Sequence, residues 1–72
     1  MNYNAHGYLL GCYRLEKRER TDSDLYLILV EWGQQYVVAR YLEGQPEWTT
    51  GRYFNSHSDA TELFASQIQA TL

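Results

Sequence analysis

The chain predicts an α+β fold: a four-stranded antiparallel meander followed by one C-terminal helix packed on one sheet face. Three observations carry this. Leu25–Trp32 is an eight-residue run, apolar but for Glu31 and rich in β-formers, the strongest strand signal present. Gly33-Gln34 separates it from a second such run, and a glycine opening a two-residue connection signals a type II′ hairpin. Beyond Asn55 the apolar period lengthens, with Ala60, Leu63, Phe64 and Ile68 on one helical face.

The elements follow in order. Residues 1–6 are polar and expected to fray. Tyr8–Leu15 reads as the first strand, where Gly11 marks a bulge or the close approach of a neighbouring side chain. Glu16–Asp24 is a charged stretch with a turn-rich end, read as a long hairpin loop or an exposed ribbon. Leu25–Trp32 is strand two and Gln35–Leu42 strand three. The short turn fixes their register: Val30 faces Val37, Ile28 faces Ala39, Tyr26 faces Tyr41 and Leu27 faces Arg40. Glu43–Pro46 forms the next turn, and Glu47–Phe54 is strand four. Pro46 and Gly51 assign it to a sheet edge. A helix over about 58–70 starts at Ser56 or Ser58, with Asp59 and Glu62 near its positive end.

The 72 residues make one small domain whose own core is marginal. A single cysteine, Cys12, rules out an internal disulfide and agrees with a reducing, cytoplasmic setting. Net charge is −3, from six basic and nine acidic residues, which argues against a sequence-independent nucleic-acid binder. Met1–His6 has no signal-peptide character, and an eight-residue apolar run is too short to span a membrane. Seven tyrosines and two tryptophans suit both strands and interfaces.

Strand two is apolar on both sides, with Leu25, Leu27 and Leu29 on one and Tyr26, Ile28, Val30 and Trp32 on the other. One helix covers one face only. Ala39 is the small residue that invites a helix, and a helix on its side leaves Leu25, Leu27, Leu29, Tyr36, Val38 and Leu42 in need of cover. The cover is a second copy of the chain, another protein, or the chain's own first strand and N-terminal segment. Arg40, Trp48 and Arg52 join the candidate interface, since arginine and tryptophan dominate binding hot spots; the plainer role for the arginines is packing of their stems.

Other chemistry is weaker. Cys12, His57 and Asp59 can be posed as nucleophile, base and orienting carboxylate, but Cys12 sits mid-strand among apolar neighbours and His57 beside a helix cap. His6, Cys12 and His57 as metal ligands lack the close spacing structural zinc sites use. No catalytic residue, metal or cofactor is expected, and the chain reads as a non-enzyme. Arg14, Lys17, Arg18 and Arg20 with Tyr13 make the alternative, a single-strand nucleic-acid contact, but interleaved acids offset their charge.

Tyr36-Val-Val-Ala39, Trp48, Gly51-Arg-Tyr-Phe54 and Ala60–Phe64 resemble a set of short bacterial proteins found with plasmids, phages and conjugative elements. Their pattern is YVVA, W-x-x-G-x-YF and A-x-x-x-F, and the match spans roughly residues 31–68. The resemblance implies a bacterial, mobile-element setting and no particular chemistry. Arg52 stands where that pattern has a histidine. In topology alone the chain also resembles the dimeric transcription-coactivator fold that binds single-stranded DNA on its sheet. The expected function is therefore a non-enzymatic interaction or regulatory module, as a homodimer or with a protein partner. A dimeric single-strand binder is the alternative.

Overall fold

Each apolar run becomes a strand and the 3.6-period segment becomes the helix. The computed structural model describes residues 7–15 and 25–71. It contains β1 (Tyr8–Arg14), β2 (Leu25–Trp32), β3 (Gln35–Leu42), β4 (Thr49–Phe54) and α1 (His57–Thr71). The sheet is antiparallel in the order β1-β2-β3-β4, which puts β4 at an edge as the sequence predicts. The expectations for residues 1–6 and 16–24 lie outside the described residues.

The central hairpin has the predicted register at all four pairs. Gly33 takes φ +64° while Gln34 keeps a negative φ, which is the II′ pattern. Gly11 meets both of its predicted roles. Leu10 is the extra residue of a bulge between the Leu9–Val30 and Gly11–Leu29 pairs. A methyl at Gly11 would stand 3.3 Å from the Phe64 ring, so the glycine lets the helix sit down on β1.

α1 starts at His57, one residue before the predicted bound. Ser56 is the cap: its Oγ accepts from the Asp59 amide at 3.3 Å, and its carbonyl accepts from Ala60 at 3.1 Å. Ala60 is fully buried, and Leu63, Phe64 and Ile68 pack beside it, as the periodicity predicts.

Two findings depart from expectation. α1 lies on the face of Leu27, Leu29 and Val38, not on the face of Ala39. The small residues that permit close approach are Ala60 in the helix and Gly11 in β1, so Ala39 is not needed for it. The second departure is β4, which begins at Thr49 rather than Glu47. Gly44 at φ +95° closes a turn in which Gln45 donates its amide to the Leu42 carbonyl at 3.1 Å. Pro46 then lacks a ladder donor. The chain after it bends over the helix-free face and lays Trp48 on that core instead of pairing it.

The helix-free face is consequently buried too. Ile28, Val30, Val37, Ala39 and Tyr41 are 2% exposed or less within the single chain. Leu9, Tyr26 and Trp48 pack against them. The Tyr41 hydroxyl donates to the Gln45 carbonyl at 3.1 Å, and the Tyr26 hydroxyl to Glu43 Oε1 at 3.3 Å, tying the bent connection down. Among the described residues, no helix is long and apolar enough to cross a membrane.

Candidate functional site

The face assignment redistributes the residues singled out from the sequence. Leu27, Leu29 and Val38 are 3–4% exposed beneath α1, which removes them as a partner surface. Tyr36 is half-buried, its ring 5.2 Å from that of His57 at the helix start. Leu25 is half-buried opposite Leu42, which remains exposed at the far end of the β2–β3 pair. Each was expected to need covering because the helix was placed on the opposite face.

One exposed cluster on the helix-free face is aromatic. The hairpin brings Trp32 to the end of β2, β4 presents Tyr53 opposite Val37, and the bent connection delivers Trp48. Trp32 stands edge-on to Trp48 with ring centroids 6.1 Å apart and to Tyr53 at 5.9 Å. The Trp48 indole N–H donates to the Tyr53 hydroxyl at 3.2 Å. Edge-to-face contacts of this kind favour one relative orientation of the rings. Trp32 and Tyr53 nonetheless remain 37% and 47% exposed. Sequence reasoning named Trp48 alone of the three. The missing signal was that a side chain two residues after Pro46 leaves the ladder and meets the turn end of the hairpin.

On the helix side a separate groove of about 320 Å³ opens between α1 and β3–β4. Leu27, Val38 and Leu63 form its apolar lining, and Ala39, Thr50 and Gln67 also border it. Arg40 and Arg52 both enter it. Their placement follows from a bulge. Val38 pairs with Arg52 and Arg40 with Thr49, so β4 carries one residue more than β3 in this interval. Thr50 absorbs the excess at φ +50°, a left-handed conformation costly for a β-branched residue. Arg52 also borders an adjoining hollow with Asp59 and Glu62, but no ion pair engages Arg40 or Arg52 among the described residues.

Of the residues of the nucleic-acid alternative, the two described ones, Tyr13 and Arg14, fall on opposite faces of the sheet. Tyr13 is half-buried against the core on the α1 side, its hydroxyl shut off from solvent. Arg14 lies on the other face, its guanidinium 5.5 Å from the Tyr26 ring centre. Lys17, Arg18 and Arg20 lie outside the described residues.

Cys12 pairs with Ile28 on the helix-free face, whereas His57 and Asp59 begin the helix on the other side of the sheet. The three form no unit. Partial burial, reinforced by the negative charge of Glu43, raises the Cys12 thiol above its ordinary value of 9.0, the direction opposite to a nucleophile's need. His6 lies outside the described residues, and among those described no cluster of three His, Cys, Asp or Glu is placed to hold a metal. No protein-family model, curated protein or solved structure matches the chain.

Proposed function

We propose that the chain is a non-enzymatic protein-interaction module whose contact surface is the aromatic corner of Trp32, Trp48 and Tyr53. The carrying observation is that Trp32 and Tyr53 stay open to solvent while standing edge-on to one another, Trp32 also to Trp48. Rigid tryptophan and tyrosine give large contact area at small entropic cost, which is why they anchor interfaces. The partner is a protein surface with an apolar recess, either a second copy or a different chain. Strand addition at the sheet edges is disfavoured, because β1 and β4 each carry a bulge that interrupts an edge ladder. The sequence resemblance adds a bacterial, mobile-element setting to this reading.

Trp32→Ser with Tyr53→Ser removes the corner without touching the buried residues. Immobilised wild-type chain should retain a protein from bacterial lysate, or its own free copy, after nuclease treatment, and the double variant should lose it. Retention that disappears with nuclease, or that survives the double substitution, contradicts the proposal.

A further inference from the structure

The helix-side groove lies on the opposite face from the aromatic corner and has a different chemistry. Its two cations come from neighbouring edge-side strands, on one face and one ladder step apart. Two like charges lining one groove repel each other. Arginine does not relieve repulsion by losing its proton. A carboxylate on a third residue would be the usual remedy, yet none is in ion-pair contact with Arg40 or Arg52 among the described residues. The lining below them is hydrocarbon from Leu27, Val38 and Leu63. The volume, about 320 Å³, falls at the small end of ligand pockets.

We propose that this groove binds a small monoanionic organic acid, its oxyanion held by Arg40 and Arg52 and its apolar body lying against Leu63 above a floor of Leu27 and Val38. The planar guanidinium fork matches a carboxylate with two parallel hydrogen bonds. Gln67 and Thr50 make the groove's margin polar. Asp59 and Glu62, beside Arg52 in the adjoining hollow, select against multiply charged ligands and so favour a singly charged head. If the arginines served only to drape their stems over the sheet, ligand charge would not matter.

The test is an amide chemical-shift titration of the full chain with octanoate, octanol and inorganic phosphate as separate probes. Octanoate should give saturable shifts centred on Leu27, Val38 and Leu63. Octanol and phosphate should each bind at least tenfold more weakly, since each satisfies one half of the site. Arg40→Gln and Arg52→Gln should each weaken octanoate about tenfold, equivalent to about 1.4 kcal/mol. Arg40→Lys should retain part of the affinity, because it keeps the charge and loses the fork. Both guanidinium-bearing residues are exposed, so a dispersed amide spectrum for each variant shows that the fold is kept. Equal binding of octanol makes the groove a plain apolar cleft and overturns the proposal. Equal binding of phosphate, unchanged octanoate affinity in both Gln variants, or shifts centred on Trp32 and Tyr53 overturn it as well.

Discussion

Thr50 is the residue whose conformation its own chemistry least explains. At φ +50° its branched Cβ crowds the backbone, at a cost of roughly 1–2 kcal/mol for an L-residue in this region. Its hydroxyl gains only a long contact to the Thr49 hydroxyl, 3.4 Å. The strain is imposed by the bulge that sets Arg52 and Arg40 on one groove. Thr50→Gly removes the crowding and adds chain entropy to the unfolded state, about 0.4–1 kcal/mol. The variant should therefore be more stable by up to about 1 kcal/mol in denaturant titration; a less stable variant would show that the threonine side chain holds the bulge. Cys12 makes a second residue-scale prediction. Its raised pKa means that the folded state favours the protonated thiol. The associated stability is fully present below the unfolded pKa and is lost as pH rises through the folded one, so unfolding free energy should fall across that alkaline window in wild type and less in Cys12→Ser. Disulfide-reagent labelling of Cys12 near pH 8 should be slower than that of a free small thiol, and faster labelling would contradict the assignment.

At the scale of elements, local rules decided wherever a single residue had one physical role. Gly33 fixed the hairpin register because a II′ turn admits little else. Ser56 fixed the helix start because its hydroxyl oxygen is placed to accept an amide of the first turn. Ser56→Ala should cost about 1 kcal/mol, read as a lower denaturation midpoint at unchanged slope. A slope change would indicate that α1 melts separately. Rules that depend on a difference between two faces had nothing to compare. β2 is apolar on both sides, so alternation gives its pleat but no direction for the helix. Ala39 suggested one choice, and Ala60 with Gly11 decided the other through contacts between residues distant in sequence. Trp48 was assigned to a strand by its propensity, which is a weak guide beside the pull of an adjacent apolar core. The arginine groove was legible only as two residue names, because the bulge that aligns them is invisible in sequence.

For the molecule as a whole, the question was what covers an apolar sheet that owns one helix. The chain covers both faces itself: α1 on one, and on the other Leu9, Tyr26 and a bent connection that ends in Trp48. Partner binding is then a matter of surface rather than of a missing half of the core. The aromatic corner is an addition to a closed fold. The most direct test is the dependence of the unfolding midpoint on protein concentration. A fold closed within one chain should give a midpoint that stays constant over a hundredfold dilution in the Trp32→Ser/Tyr53→Ser variant, whichever partner the wild-type corner takes. A midpoint that falls steadily on dilution, the behaviour of a fold completed only by a second copy, would contradict the account.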